Sequence, residues 1–198
     1  MPFLPGELPA LIVATSFAAG LNVYATVATL GLLARADVVA LPTPLHLVAD
    51  WRVIAVSIVL FAIEAIADKV PAFDLVWNAL QTFVRVPVAA LLAYGATAQL
   101  SPGAQIVAAL AGGAIAFAAH GAKTAARVAV TPSPEPFSNI ALSAGEDALA
   151  IFLTWFATQH PFWAGAIALA LLAMIVVLTR WIVRALRALF GARRAAAE

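Results

Sequence analysis

The amino-acid sequence predicts an all-α fold, a single bundle of about six transmembrane helices. Three observations favour this fold class. Of the 198 residues, 64% are apolar and 11% are charged, whereas a soluble domain carries about 25% charged residues. Mean hydropathy is +1.01. The apolar residues also form long blocks, and a run of about 18 or more with few charges is typical of a membrane span. A soluble fold does not fit these features.

Six apolar blocks follow one another, separated by prolines and polar residues. They run over 8–34, 51–67, 75–96, 104–130, 139–158 and 162–182. We predict one helix for each, in a single transmembrane domain over 1–190 that is followed by a short basic tail, 191–198. Before the second block, Leu41-Pro-Thr-Pro-Leu45 contains two prolines that each remove a backbone donor. We expect an extended or re-entrant connector there, followed by a helix that starts near Leu45.

Basic residues give the expected orientation. Five arginines lie at or beyond the end of the last apolar block: Arg180, Arg184, Arg187, Arg193 and Arg194. Basic residues accumulate on the cytoplasmic side of a membrane, so this end is predicted to be cytoplasmic. The cluster is a topology signal rather than a nucleic-acid patch. An even number of spans then places the N-terminus in the cytoplasm too, although Arg35 and Arg52 fall on the opposite side.

Two short matches indicate an internal repeat. Phe17-Ala-Ala-Gly20 is similar to Phe117-Ala-Ala-His-Gly121, and Leu41-Pro-Thr-Pro44 is similar to Thr131-Pro-Ser-Pro134. They fit a duplication with halves 8–98 and 102–190. Three spans per half give an inverted repeat, the arrangement of many secondary transporters, with sites near the midplane. The other interpretation is chance similarity in an alanine-rich chain.

Polar residues form narrow stripes on five of the six predicted helices when they are placed at 100° per residue. The residues expected to form a pathway or ion-pair centre are Glu64, Asp68, Asp74, Asn78, Arg85, His120, Lys123, Arg127, Glu146 and Asp147. Asn22 and Thr26 lie on the polar face of span one. An ionisable side chain at the bilayer centre costs about 2.5–3.5 kcal/mol on insertion scales, so such residues face protein or water and usually mark function.

A structural interpretation stands beside each of these. Glu64, Asp68 and Asp74 can flank the bilayer near a tight loop, the last as a helix cap. Arg85 can belong to a purely structural ion pair. His120 can be a hydrogen bonder between packed helices, and the polar face of span one can join helices in the same way.

The proline-rich segment over 131–139 is the least generic part of the chain. Its residues Ser133, Glu135, Ser138 and Asn139 suggest an anion or capping site. Ser138 or Asn139 can cap span five, whose N-terminus favours an anion. A phosphate or carboxylate could bind there, or Glu135 could occupy the site as an internal anion.

Several kinds of chemistry have no signal. The chain contains no cysteine, which excludes disulfides and thiolate catalysis. No phosphate loop, His-Glu-x-x-His pair or serine elbow is found. We therefore predict no catalytic residue, no metal site and no cofactor.

A set of motifs identifies a related group of proteins. They are Ala67-Asp-Lys-Val-Pro71, Phe73-Asp-Leu-Val-Trp-Asn78, Thr82-Phe-Val-Arg85, Ala119-His-Gly-Ala-Lys123, Ser133-Pro-Glu-Pro-Phe-Ser-Asn139 and Glu146-Asp147. From Gly20 to about Pro161, the chain resembles the bacterial membrane proteins of domain of unknown function family 4126. The resemblance implies a single-domain, multi-pass protein of the bacterial inner membrane and carries no activity. Asn78 stands where an acid is expected in that family.

The leading hypothesis is a small-solute or ion transporter or channel with a charged intramembrane centre. The alternative is a structural or assembly subunit of a membrane complex. A membrane enzyme that binds a lipid phosphate is third. The expected partners are membrane lipids, an ion or small solute, and further copies of the chain, with no nucleic acid.

Overall fold

The structure, a computed structural model, describes residues 3–68, 71–130 and 136–195, without the side chains of 71–75, 127–130, 136–139 and 185–195. Within these ranges the secondary structure is entirely helical. The helices are α1 (Leu8–Leu21), α2 (Val23–Arg35), a 3-10 segment (Thr43–Ala49), α3 (Trp51–Ala67), α4 (Pro71–Ala96), α5 (Pro102–Val130), α6 (Pro136–Gln159) and α7 (Pro161–Ala195).

Four helices, α4 to α7, are each long and apolar enough to cross a membrane. The 3-10 segment and α3 pass the same test together, with a bend of 59° between them. The all-α prediction is thus confirmed within the described ranges, with four or five candidate membrane spans, and the number of six spans stays a prediction. The predicted connector has an extended Pro42, and the helix expected near Leu45 is a 3-10 segment from Thr43 to Ala49. The α-helix α3 begins only at Trp51. The re-entrant alternative stays a prediction.

The first predicted span is wrong as a single helix over 8–34. Asn22 is extended, with φ −150° and ψ 103°, and it separates α1 from α2. Its side-chain oxygen accepts a hydrogen bond from the backbone N–H of Ala25 at 3.0 Å and so caps the start of α2. Helices of 14 and 13 residues are about 20 Å long. Neither can cross a hydrocarbon core of about 30 Å alone.

The chain reverses direction at Asn22. A small cavity of about 30 Å³ brings Leu11 of α1 and Leu30 of α2 together with Ala96 and Thr158. Ala96 ends α4 and Thr158 is near the end of α6, so the outer ends of α1 and α2 lie at the same end of the bundle. We call α1 and α2 the hairpin, with its tip at Asn22.

The hairpin forms the centre of the molecule. Eleven of the 14 residues of α1 are buried, and its contacts with α5 and α7 are at backbone distance. A Cβ added to Gly20 would lie 2.5 Å from the carbonyl oxygen of Ala116 and 2.7 Å from the Cβ of Ala119. A Cβ on Gly165 would lie 2.9 Å from Ala10 in the same way. Such close approach is typical of membrane helices with small residues at their contacts.

The hairpin also bears on the repeat and on the topology. Its segment 17–20 packs against α5 beside the matching segment 117–121, although the duplication itself stays a prediction. Ala10 lies beside Gly165 at the start of α7, so the start of α1 and the far end of α7 are at opposite ends of the bundle. After the hairpin the described chain has up to five candidate spans, which are the 3-10 segment together with α3, and α4 to α7. The orientation with both termini in the cytoplasm depends on an even number of spans and stays a prediction.

Candidate functional site

The tip of the hairpin exposes backbone carbonyls that a continuous helix would have bonded internally. Arg85 Nη1 donates to the carbonyl of Gly20 at 3.1 Å and to that of Leu21 at 2.8 Å. Lys123 Nζ donates to the same Leu21 carbonyl at 3.2 Å. The last carbonyls of a helix lack partners and carry a partial negative charge, which favours cations there. The break thus creates a binding place for two basic side chains.

Glu64 of α3 joins these two cations. Its carboxylate and the Arg85 guanidinium form a buried ion pair. Lys123 Nζ donates to the same oxygen, Oε1, at 2.9 Å. All three side chains are fully buried. The second oxygen, Oε2, has no hydrogen-bond partner among the residues that the structure describes. Two cations on one carboxylate offset much of the desolvation of a buried acid.

Lys123 is surrounded by oxygen atoms from three parts of the fold, namely the end of α1, α3 with its C-cap Asp68, and α6. Besides Glu64 and the Leu21 carbonyl, its ammonium lies 3.5 Å from Glu146 Oε2 and 3.6 Å from Asp68 Oδ2. Asp68 also accepts a hydrogen bond from Ser143 of α6 at 2.8 Å. An ammonium has three donors, so the lysine can change partners among three carboxylates by small rotations of its side chain.

His120 of α5 extends the network towards α4. Its Nδ1 lies 3.0 Å from Arg85 Nη1, and its Nε2 lies 2.9 Å from Thr82 Oγ1 and 3.0 Å from the Asn78 carbonyl. A guanidinium has only donors, so Nδ1 must be the acceptor. The ring is therefore neutral in this arrangement, with its proton on Nε2. Protonation of Nδ1 would place a donor against a donor and break the contact with Arg85.

The helix α6 contacts the hairpin on the other side of its tip. Asn22 Nδ2 donates to Asp147 Oδ1 at 2.8 Å, while the other side-chain atom of Asn22 caps α2. One turn along α2, the Thr26 hydroxyl accepts a hydrogen bond from that of Thr154 at 3.4 Å. The Asn22 side chain therefore has two roles in the fold. It caps the start of α2, and it holds the Asp147 carboxylate of α6 at the tip of the hairpin.

The structure brings together most of the residues that the sequence singles out. We call this set the charged centre, and it comprises Asn22, Glu64, Asp68, Arg85, His120, Lys123, Glu146 and Asp147. Asn78 contributes its backbone carbonyl to His120. Thr26 is buried on α2 next to the centre. Asn22 lies at the break before α2, so the two residues do not form the polar face of one continuous helix over 8–34.

Other predicted residues fall where the structure gives no side-chain contacts. Asp74 lies in the first turn of α4, after its start at Pro71, and is not the N-cap. Ser138 and Asn139 lie inside α6, which begins at Pro136, so neither of them is its N-cap. The side chains of Asp74, Arg127, Ser138 and Asn139, and the whole of Ser133 and Glu135, are outside the described part of the chain. The anion site over 131–139 thus stays a prediction.

Sequence reasoning missed one buried polar pair. Gln81 Nε2 donates to the hydroxyl of Tyr24 at 3.0 Å, between α4 and α2. Gln81 follows Asn78 and precedes Arg85 on α4 at helical spacing, which could have added it to the stripe. Tyr24 has no such signal, because an aromatic residue in an apolar block is expected in the core. Within the described ranges no group of three or more His, Asp or Glu is arranged to hold a metal ion.

The buried charges and the apolar helices define the class of protein, an integral membrane helical bundle with an ionic network at its middle. Residues 10–181 match the family described as Domain of unknown function (DUF4126). The chain belongs to this family, as its motifs led us to expect, and the match includes the whole charged centre. No curated protein and no solved structure matches the chain.

Proposed function

We propose that the protein is a small-solute or ion transporter or channel whose pathway passes the charged centre. One observation carries the proposal. Lys123 lies within 3.6 Å of three carboxylates and at 3.2 Å from a carbonyl freed by the hairpin tip. A set of oxygen atoms of this kind would also bind a proton or a cation, and the lysine ammonium acts as a tethered internal cation.

The broken helix supports the same function. Non-helical backbone at membrane depth is tolerated where it is buried in protein or lines a cavity. Transporters use such discontinuous helices to present carbonyls and N–H groups to ions and substrates. Here the end of α1 presents the carbonyls of Gly20 and Leu21 to cations, and the start of α2 lies at Asp147 through Asn22. The negative end of the α1 dipole therefore faces cations, and the positive end of the α2 dipole lies near a carboxylate.

We place the protein in the bacterial inner membrane with the hairpin as a re-entrant element. The basic end of α7 then lies in the cytoplasm, following the excess of Lys and Arg on that side. Five crossings bring the start of α1 to the periplasmic side. The charged centre lies between, at the level of Arg85, which is about midway along α4. We propose no catalytic activity and no cofactor.

The direct test is flux in liposomes. Wild-type protein is reconstituted and uptake is measured across a panel of cations, anions and small metabolites, with and without a pH gradient. Neutralising variants Lys123→Met, Glu64→Gln and Glu146→Gln should abolish the flux found for the wild type. Thr97→Val is the matched control, because Thr97 is equally buried directly after α4 and its hydroxyl donates only to carbonyls of that helix. Unchanged flux in all three variants would contradict the proposal.

The alternative, a structural or assembly subunit, is supported by the fully buried pairing of Glu64 with both Arg85 and Lys123. The double variant Glu64→Gln with Arg85→Gln distinguishes the two functions, because Lys123 keeps Asp68 and Glu146 when this pair is replaced. Replacing both members of a buried pair is often neutral for stability, whereas removing one costs about 3–5 kcal/mol. In a transporter the double variant should fold and show no flux. In a structural subunit only the single variants should lose stability, and a stoichiometric partner should copurify with the wild type.

A further inference from the structure

An apolar cavity lies beside the hairpin, away from the charges. Its volume is about 440 Å³, and its walls come from α2, the 3-10 segment, α3 and α4. Thirteen of its sixteen lining residues are aliphatic, proline or glycine. The size and the apolar lining are those of a ligand pocket. The charged centre contributes none of the lining residues, so a solute pathway does not account for this cavity.

The bend of the chain explains why the cavity exists. The 3-10 segment and α3 meet at 59°, and α3 packs mainly against α2, which leaves a gap between α3 and α4. The rim of the gap is exposed, since Leu47 and Leu91 line the cavity and are 70% and 66% exposed. The inner wall is buried, with Val27 and Leu92 below 10%. The cavity therefore opens sideways, towards the hydrocarbon of the bilayer.

The length of the cavity matches one leaflet. Its wall on α4 runs from Val84, next to Arg85, to Gly95 at the end of the helix. Eleven residues of helix at 1.5 Å each are about 16 Å, and half of a hydrocarbon core of about 30 Å is about 15 Å. A lipid chain that enters from the side would lie along α4 and end beside the hairpin tip, near Val23.

Two arginines lie at the outer end of the cavity. Arg35 donates to the carbonyl of Ala49 at 2.9 Å, and its guanidinium lies 4.4 Å from the ring centre of Trp51. Arg52 is exposed at the start of α3. The cavity reaches Val48 and Val53 on either side of these groups. Basic and aromatic side chains at this position are those that contact lipid head groups at an interface.

From these observations we propose that the cavity is a binding site for one acyl chain of a phospholipid, with its phosphate beside Arg35 and Arg52. The bound chain fills the gap between α3 and α4 and keeps water from the side of the tip that holds Tyr24. This site does not depend on the proposed transport function. It would exist equally in a structural subunit.

Photocrosslinking tests the site. The wild-type protein is placed in nanodiscs with phosphatidylglycerol that carries a diazirine in one acyl chain, and the adducts are mapped by mass spectrometry. Adducts are expected on the inner wall, at Val27, Val88 or Leu92, in addition to those on outward residues. Adducts confined to outward positions outside the cavity, such as Phe83 and Leu110, would overturn the proposal. Labelling by a diazirine fatty acid but not by the phospholipid would also overturn it.

Two tryptophan variants separate the cavity from the lipid annulus. Val88→Trp fills the cavity and should remove the inner-wall adducts while the outward ones remain. Leu110→Trp is the control, since Leu110 is exposed on α5 and lies outside the cavity, and its inner-wall adducts should persist. If Val88→Trp does not fold, Val27→Phe narrows the cavity from the opposite wall. Inner-wall adducts that persist in a folded filling variant would contradict the site.

Discussion

The N-terminal and C-terminal parts of the chain differ in the length and continuity of their helices. Over 8–67 the helices are short and are broken at Asn22 and Asp50. Over 102–195 three helices run for 24 to 35 residues each. The unbroken part surrounds the broken part and supplies Lys123, Glu146 and Asp147 to its tip. The comparison teaches that the long helices are the scaffold, whereas the polar backbone groups that can bind something come from the interrupted segment.

The largest expected effect concerns sidedness and is all-or-none. The chain has no cysteine, so Leu4→Cys and Ala192→Cys each give a single reactive thiol. If the interrupted segment does not cross, the cysteine at position 4 should react with a membrane-impermeant maleimide in spheroplasts. The cysteine at position 192 should react only after lysis. Equal reactivity of the two would mean that the segment 8–34 crosses the membrane after all.

Removal of the arginine at the tip should have the next largest effect. Arg85→Gln takes one cation from Glu64 and the donors from two carbonyls, and breaking a buried pair in this way costs about 3–5 kcal/mol. Equilibrium unfolding in mixed micelles measures this loss. Adding Glu64→Gln should recover a large part of it. A stability equal to that of Thr97→Val would show that the tip is not held by its charges.

Alanine substitution at the two glycines of the matched motifs should have different effects on the free energy of unfolding. Gly20→Ala forces a Cβ against the backbone of α5, and such overpacking costs about 1–3 kcal/mol. Gly121 has no atom within 4 Å of the added carbon, so Gly121→Ala should be neutral or more stable by up to about 1 kcal/mol, because alanine favours a helix. The same unfolding assay measures both variants. Equal effects would show that α1 at Gly20 is not packed more tightly than α5 at Gly121.

The smallest expected effect is at the second contact of α6 with the hairpin. Thr154→Val removes the 3.4 Å hydrogen bond to Thr26. Hydrogen bonds between membrane helices contribute about 0.6 kcal/mol on average, so the change should be of this size. A loss as large as that of Arg85→Gln would mean that the threonine pair, not the charges, positions the hairpin.

The membrane class and most helices could be predicted from the sequence, because long apolar runs bounded by proline determine them directly. The predicted block 51–67 coincides with α3. The break at Asn22 could not be predicted in this way, since a polar stripe at 100° per residue fits a continuous helix equally well. Length gives no signal either, because the block 104–130 has the same 27 residues as 8–34 and forms one unbroken helix.

The members of the charged centre were predictable individually, but their pairing was not. Periodicity placed Glu64, Arg85 and Lys123 on the inner faces of three helices. It does not determine the rotation of those helices about their axes or the depth at which each residue meets the others. The contribution of the Gly20 and Leu21 carbonyls was also inaccessible, because backbone groups become available only when the break itself is known.

The order of synthesis gives the tip a further consequence. The groups that bind the Leu21 carbonyl come 64 and 102 residues later in the chain. During translation the segment 8–34 therefore leaves the ribosome before Arg85 and Lys123, which bind the carbonyls at its tip, have been made. We expect its final position to be reached late, after α5 has entered the membrane. A chain arrested after Ala96 should show a protease-accessible or misoriented N-terminus, and one arrested after Val130 should not.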